Sequence, residues 1–197
     1  MKKVFALLLI LACFVTPPVY AASSSSSTKI TWQKVKLDNA GTISIPKNWT
    51  VVGKNQKIDK DKYGDGTNYQ QCLNAVVKTD DPNDTYNRSL LVFSFWPVPN
   101  DLDEDVLEAF IKVMGDELAN QYGDITELVS IGDIAGGKIK AKALTYDLHI
   151  GKILSVRQKI SAFNQGNKII CTIMTYLPDE ESQWERMARQ IFGRWKF

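Results

Sequence analysis

Apolar and polar residues alternate most regularly between residues 144 and 176, and this alternation predicts three consecutive antiparallel strands. The strands cover 144–150, 153–163 and 168–176. Side chains two positions apart on a strand share a face, so the pattern defines one uniformly apolar side. This predicted core face consists of Tyr146, Leu148, Leu154, Val156, Ile160, Ile169, Cys171 and Ile173.

Two loops set the register of these strands. A three-residue loop at 150–152 places Leu148 opposite Leu154, and the Asn-Gln-Gly-Asn loop after the second strand places Ile160 opposite Cys171. A slip of one residue would set apolar side chains against polar ones, so the pattern favours these loop lengths.

The opposite face of the three strands is mixed. It carries Thr145, Asp147, His149, Arg157, Lys159, Ser161 and Thr172, together with Ile170, Met174 and Tyr176. Asp147 and Arg157 are close enough across the strands for a structural ion pair, which is worth little if it is exposed. The alternative is a polar binding surface that includes Asp147, His149 and Arg157.

A helix is predicted after Pro178. Asp179 is the expected N-cap, and Glu180 and Glu181 follow it in the first turn, where the helix dipole favours acids. An apolar stripe recurs at helical spacing: Trp184, Met187, Ala188, Ile191, Phe192 and Trp195. Burial of such side chains stabilises a protein by about 1.5–3 kcal/mol each, so this helix must dock on the sheet.

The earlier part of the chain supplies the remaining elements. Residues 30–37 and 41–46 predict a hairpin, 72–78 and 88–96 strands, 125–131 a strand, and 136–137 a tight turn before a strand at 138–150. Residues 101–122 predict a helix that begins with Asp101 and Glu104 as a capping box. The polar stretch 53–71 predicts a long loop. The run from 90 to 96 is apolar on both faces and predicts an interior strand, and Trp49 is a predicted core or rim anchor.

Residues 1–21 are typical of a signal peptide. Two lysines precede an apolar run of 12 residues, and Val19-Tyr20-Ala21 resembles a cleavage site. The run is too short to span a bilayer as a helix. Residues 22–29 contain five consecutive serines and predict a flexible tether, and residues 30–197 predict a single domain. We therefore expect an exported protein, periplasmic or extracellular.

Lipidation is the alternative to simple cleavage. Ile10-Leu11-Ala12-Cys13 approximates a lipobox, in which the cysteine is acylated and becomes the new N-terminus. The protein would then be held at the membrane through Cys13; without that lipid, no membrane contact is expected.

The charge balance argues against nucleic acid as a partner. The 24 basic residues lose Lys2 and Lys3 with the leader, which leaves 22 against 22 acidic residues. Nucleic-acid-binding proteins typically carry a basic excess gathered on one face, and the sequence shows none.

Two cysteines, Cys72 and Cys171, remain after the leader is removed. An even number in an oxidising compartment favours a disulfide. Such a bridge would close a loop of about 100 residues and add about 4.7 kcal/mol at most. Two buried free thiols are the alternative.

No motif indicates catalysis or metal binding. A hydrolase using Asp147 and His149 would need an activated nucleophile, and no Gly-x-Ser-x-Gly turn is present. The run that starts at Asp59 superficially suggests a calcium loop, but Tyr63 and Gln70 stand where ligands are required. We therefore expect no enzyme activity, no cofactor and no metal site.

The order of the predicted elements resembles that of the PsbP-like superfamily, which includes DcrB-type exported bacterial domains. The resemblance rests on Thr42-Ile-Ser-Ile-Pro-Lys-Asn-Trp49, where a strand ends in Pro and Trp follows, and on the stripe from Trp184 to Trp195. It covers residues 30–197. It implies an α+β fold in which an antiparallel sheet is flanked by two main helices, an α/β/α sandwich, and a role in binding or assembly instead of catalysis.

We therefore expect an exported envelope protein that acts as a non-enzymatic binding or assembly module for an envelope protein or a small ligand. The alternatives are a structural lipoprotein anchored through Cys13 and a hydrolase using Asp147 and His149. The 53–71 loop and its rim are the expected binding region. The candidate residues for the binding surface are Asp59, Asp61, Tyr63, Asp65 and Tyr69, with Asp147, His149 and Arg157 on the sheet.

Overall fold

The computed structural model describes residues 30–57, 68–77, 88–122, 126–150 and 154–197. Within these ranges the chain forms nine strands and two α-helices. The first half contains β1 (Trp32–Leu37), β2 (Gly41–Pro46), β3 (Trp49–Lys57), β4 (Asn68–Val77), β5 (Ser89–Trp96) and α1 (Glu104–Tyr122). The second half contains β6 (Thr126–Gly136), β7 (Ile139–Ile150), β8 (Leu154–Gln165), β9 (Lys168–Tyr176), a short 3-10 helix (Pro178–Glu180) and α2 (Glu181–Arg194).

Seven of these strands form one antiparallel sheet in the order β3-β4-β5-β9-β8-β7-β6. The hairpin of β1 and β2 is separate, and the end of the chain bridges to it. Thr42 and Lys196 exchange two backbone hydrogen bonds, at 2.6 Å and 2.9 Å. A large antiparallel sheet with two helices confirms the predicted α+β class.

Two apolar cores draw on alternate residues of the same strands. The first core joins Leu90 and Val92 of β5 to the hairpin and to α2. The second core joins Leu91, Phe93 and Phe95 to α1. Since alternate side chains of a strand point to opposite sides, β5 is covered on both faces, as its apolar run predicts.

The predicted apolar stripe of α2 is confirmed. Its buried side chains are the contribution of this helix to the first core. Trp184, Ala188, Ile191 and Phe192 are buried. Trp195 follows the helix, is buried as well, and donates a hydrogen bond from Nε1 to the carbonyl of Ala40 at 2.5 Å.

The predicted helix starts are wrong by a few residues. In α1 the carboxylate of Asp103 accepts the Val106 amide at 2.8 Å, whereas Asp101 lies outside the helix with φ of 56°. In α2 the helix begins at Glu181, so Asp179 is not its cap. A 3-10 helix occupies that position, and the carboxylate of its last residue, Glu180, accepts hydrogen bonds from Nε and Nη2 of Arg88 at 2.7–3.0 Å.

The predicted meander is confirmed, but both of its registers are displaced by two residues. Leu148 lies opposite Val156, and Ile160 lies opposite Ile173. The second turn is tighter than expected because Gly166 adopts φ of 58°, which lets Gln165 pair directly with Lys168. A displacement by two preserves the face of each side chain. The described members of the predicted core face therefore all lie in the second core; the side chain of Leu154 lies outside the described residues.

The predicted 53–71 loop is too long at both ends. β3 continues to Lys57 and β4 starts at Asn68, with Gln56 opposite Gln71. β3 is an edge strand of the sheet, and its exposed Lys54 and Gln56 explain why this part of the sequence looks like a loop. Residues 58–67 lie outside the described residues.

The predicted disulfide between Cys72 and Cys171 is wrong for this structure, in which both cysteines are free and buried. Cys72 lies on β4 and Cys171 on β9, with β5 between them. Neighbouring strands are about 4.8 Å apart, so two strand spacings exceed the Cα separation that a disulfide tolerates. The two side chains also belong to different cores.

Free buried thiols lead to a direct prediction. Burial raises the pKa of both Cys72 and Cys171 from 9.0 to about 12. We expect both to resist alkylation in the native protein at pH 8, because the reactive thiolate is scarce and inaccessible. Both should react fully in unreduced protein unfolded in urea. Two unreactive sulfurs under unfolding conditions, with a mass lower by two hydrogens, would contradict this expectation.

Candidate functional site

Asp147 and Arg157 lie directly opposite each other on β7 and β8. Arg157 donates from Nε to Oδ1 of Asp147 at 2.6 Å and from Nη2 to Oδ2 at 2.7 Å. Its Nη1 also donates to Glu181 at the start of α2. The Asp147 carboxylate, with Glu181 beside it, raises the pKa of Arg157 above its ordinary value. Both oxygens of Asp147 are therefore occupied by one guanidinium.

Lys159 lies two residues further along the same face and is buried. Its Nζ is 2.7 Å from Glu185 and 3.6 Å from Glu181, both on α2. A buried ammonium needs such partners, since burial of an unpaired charge is costly. These contacts define an ion-pair network between the sheet and α2: Asp147, Arg157, Lys159, Glu181 and Glu185.

For the mixed face of the last three strands, two interpretations were possible: a structural ion pair or a polar binding surface. The ion-pair network fits the first. Ile170, Met174 and Tyr176, which share this face, belong to the first core with α2. Thr172 is fully buried there as well. The helix thus covers much of the surface that was a candidate for binding, and a binding role for Asp147 and Arg157 stays a prediction.

The remaining predicted site residues do not gather with them. Tyr69 is buried in the second core, with its ring 6.1 Å from that of Phe95, on the sheet face opposite to Asp147. His149 follows Asp147 on β7 and lies opposite Ser155, and its side chain is outside the described residues. Four further candidates also lie outside the described residues: Asp59, Asp61, Tyr63 and Asp65.

Neither a metal centre nor a membrane-spanning helix emerges from the described ranges. Their His, Cys, Asp and Glu side chains form no group of three or more that could hold a metal ion. Their helices are too short or too polar to cross a bilayer.

The long strand β6 is the last strand of the sheet among the described residues, at the end opposite to β3. All residues from 127 to 133 are exposed. Three of them are large and apolar: Leu128, Val129 and Ile131 have 50%, 40% and 43% of their surface exposed. A bulge lies between Leu128 and Ser130. Backbone donors and acceptors on such an edge are available for pairing with another chain.

Sequence reasoning missed this edge. The apolar residues of 125–131 predict a strand, but they do not tell whether the strand has one neighbour or two. The sequence contains only a weak indication that this strand lies at an edge. Glu127 and Asp133 flank the apolar residues, and charged side chains are common on edge strands.

Comparisons with known proteins address the fold. No family model matches the sequence, and no curated protein matches it. The solution structure of cyanobacterial PsbP (CyanoP) from Synechocystis is similar, with 16% identity and a TM-score of 0.52, over 86% of this chain and 94% of that one. The chain has a PsbP-like fold. This confirms the resemblance predicted from the sequence, at the level of the fold.

A second similar structure is that of LpqN, involved in cell envelope biogenesis of Mycobacterium tuberculosis. It is 15% identical and aligns over 85% of this chain and 90% of its own, with a TM-score of 0.43.

The ion-pair network predicts a dependence of stability on pH. The hydrogen bond from Lys159 lowers the pKa of Glu185 below its ordinary value of 4.5. A carboxylate with a lowered folded-state pKa stabilises the protein above its unfolded-state pKa and stops doing so as the pH falls through the folded-state value. We expect Glu185→Gln to lower the free energy of unfolding at pH 7 by up to about 1 kcal/mol, since Glu185 is partly exposed.

Urea unfolding between pH 7 and pH 2 measures this effect. The difference between Glu185→Gln and the wild type should be constant above about pH 4.5 and should disappear at lower pH. Glu117→Gln is the control, because the ion pairs among the described residues do not include Glu117, and this variant should unfold at pH 7 with a free energy close to that of the wild type. A Glu185→Gln difference that persists at pH 2 would contradict the assignment to this ion pair.

Proposed function

We propose that this protein is an exported, non-enzymatic binding or assembly module of the cell envelope, and that it captures a partner polypeptide along the edge of β6. Export is supported by the leader pattern in residues 1–21. The observation that carries the capture step is the run of seven consecutive exposed residues, 127–133, on an edge strand.

The packing of helices on the sheet supports the idea that the β6 edge is rigid. We infer an α/β/α sandwich in which α1 and α2 lie on opposite sides of the sheet, because each helix belongs to a different core. β7, the strand that pairs with β6, is buried on both faces and holds the edge in one geometry. A rigid edge avoids part of the ordering cost of binding.

Strand addition fits the composition of the β6 edge. Main-chain hydrogen bonds supply affinity in this mode, and alternate side chains supply specificity. Leu128 and Ile131 lie opposite Tyr146 and Leu144 of β7 and therefore share the face of the second core. An added strand would cover these apolar side chains, and this would offset part of the cost of ordering the partner.

The hydrolase alternative is disfavoured by the geometry of Asp147. A catalytic acid that orients a histidine also stabilises the imidazolium that forms beside it, which requires a carboxylate whose charge is not already compensated. Both oxygens of Asp147 accept hydrogen bonds from Arg157. Release of Asp147 would leave the guanidinium without its main partner.

Affinity purification from the native envelope tests the capture proposal. We expect Leu128→Lys/Ile131→Lys to lose the partners that the wild type retains, because charged side chains on an edge strand oppose pairing. The matched control is Val106→Lys/Val113→Lys on α1, which adds the same charge at side chains that are 43% and 42% exposed. Quantitative mass spectrometry of the retained proteins is the readout.

Two results would contradict the proposal. One is an unchanged set of partners with the β6 variant, and the other is an equal loss with the α1 control. A photo-crosslinker placed at Ser130 should form adducts with the same partners, whereas one at Val113 should not.

A further inference from the structure

Cations gather on the outer surface of the hairpin, where the end of the chain joins it. Lys36 lies opposite Thr42 across the hairpin, and Thr42 lies opposite Lys196. Directly paired residues share a face and have Cβ atoms about 5 Å apart. The three side chains therefore form one row. Lys34 projects on the same side of β1, two residues before Lys36.

Two further cations extend this row. The guanidinium of Arg194 lies 4.5 Å from the centre of the Trp32 ring, and Trp32 shares the outer side of β1 with Lys34. Lys47 donates its amide to the carbonyl of Thr31 at 2.9 Å, which places it beside the start of β1. We call these residues the basic surface: Trp32, Lys34, Lys36, Lys47, Arg194 and Lys196.

Asp38, in the turn of the hairpin, is the one acidic residue within the segments that build the basic surface, and its carboxylate accepts a hydrogen bond from Asn55 at 2.8 Å. Residues 30–37, 39–57 and 186–197 contain no Asp or Glu, although they contain nine Lys and Arg residues. The acids of α2 that lie nearest in sequence, Glu181 and Glu185, are paired with Arg157 and Lys159. Among the described residues, no carboxylate lies within ion-pair distance of the five cations of the basic surface. The five cations are exposed.

This grouping is a finding that the sequence did not predict, since the expected mature chain is neutral overall. Neutrality is reached because the acids lie elsewhere. In α1, for example, Glu104, Asp105, Glu108, Asp116 and Glu117 stand against one basic residue, Lys112. The protein thus carries a local positive field that its net charge conceals.

We propose that the basic surface docks on the anionic headgroups of a phospholipid bilayer. Clustered lysines and arginines are attracted to anionic lipids, with a contribution from each cation near the bilayer surface. Trp32 belongs to the residue type that favours the interface between headgroups and hydrocarbon. The proposal does not depend on capture at β6.

The position of the N-terminal segment selects a membrane over other polyanions. Ile30 and Thr31 lead directly into the basic surface and are exposed, and 29 residues precede Ile30. In the lipoprotein alternative, acylation of Cys13 ties the part of this segment that remains to a bilayer. If the chain is held at a bilayer through this segment, the basic surface is the part of the domain next to the membrane.

Vesicle co-sedimentation of the protein, expressed from its full sequence, tests this inference. We expect stronger binding to vesicles with about one-third phosphatidylglycerol than to phosphatidylcholine vesicles, and a decline with added salt. Lys34→Gln/Lys36→Gln should weaken binding to the anionic vesicles about tenfold or more. Because both side chains are exposed, the fold should be retained, with an unchanged melting temperature as the check.

A matched control removes two charges elsewhere. Lys112→Gln/Lys140→Gln changes two exposed lysines on the side of the sheet that faces α1, so binding to anionic vesicles should remain within about twofold of the wild type. Every variant carries the same N-terminal segment. A lipid anchor in that segment would therefore contribute equally to the vesicle binding of each protein and would not affect the differences between them.

Three results would overturn the proposal. The first is equal binding of the wild type to neutral and anionic vesicles. The second is an equal effect of the two double variants. The third is binding to DNA or to an acidic polypeptide without binding to anionic vesicles, which would assign the basic surface to a different polyanion.

Discussion

Trp184→Ala is expected to lower the free energy of unfolding by about 3–5 kcal/mol, among the largest effects of any single side chain in this protein. The indole lies between two other aromatic rings, 5.3 Å from Trp49 of β3 and 5.4 Å from Tyr176 of β9. Its Nε1 also donates to Glu180 at 3.2 Å. Truncation would leave a cavity at the junction of α2 with two distant strands.

Urea unfolding followed by circular dichroism measures this loss. Trp184→Phe should fall between the wild type and Trp184→Ala, because it keeps an aromatic ring in the core but leaves a smaller cavity and loses the hydrogen bond to Glu180. Gln183→Ala, at the exposed neighbouring position, should stay within about 0.5 kcal/mol of the wild type. A loss below about 1 kcal/mol for Trp184→Ala would mean that α2 is not held through this residue.

Gly136→Ala should cost about 1–3 kcal/mol or more, although the substitution adds a single methyl group. A Cβ at this position would meet the carbonyl oxygen of Arg189 at 2.2 Å and Cβ of Phe192 at 2.7 Å. The first contact is with the backbone of α2, so no rotamer change can relieve it. The helix or the end of β6 would have to move.

Gly132 provides the matched control in the same strand. A Cβ there would meet nothing within 4 Å. Gly132→Ala should therefore be neutral or stabilising by up to about 1 kcal/mol, because alanine loses less conformational freedom on folding than glycine. The melting temperatures of both variants, measured by thermal unfolding, test this difference. Equal melting temperatures for the two variants would contradict the close approach of α2 to β6.

Much of the fold could be predicted because its signals are local. The period of two between residues 144 and 176 and the helical stripe from Trp184 to Trp195 reflect which side chains turn inward, and both are confirmed. The register was missed by two residues because apolar faces are unchanged by such a displacement. The tight turn at Gly166 decided the register between β8 and β9.

The candidate site was harder to predict because it depends on which strands become neighbours. The apolar character of Leu128 and Ile131 indicates a buried strand, and only the position of β6 at the sheet edge exposes them. Asp147 and Arg157 were predicted as a possible pair, since both lie on adjacent strands of one meander. The further hydrogen bond from Arg157 to Glu181 required the docking of α2.

The sequence by itself determined the class of the fold, both helices, most of the strands and the core face of the last three strands, because each follows from the spacing of side chains a few residues apart. Only the tertiary structure decided the sheet order, the separation of Cys72 from Cys171, the role of Gly136 and the gathering of Lys36 with Lys196. These features join residues far apart in the chain. They arise from packing between whole elements, which a local pattern does not encode.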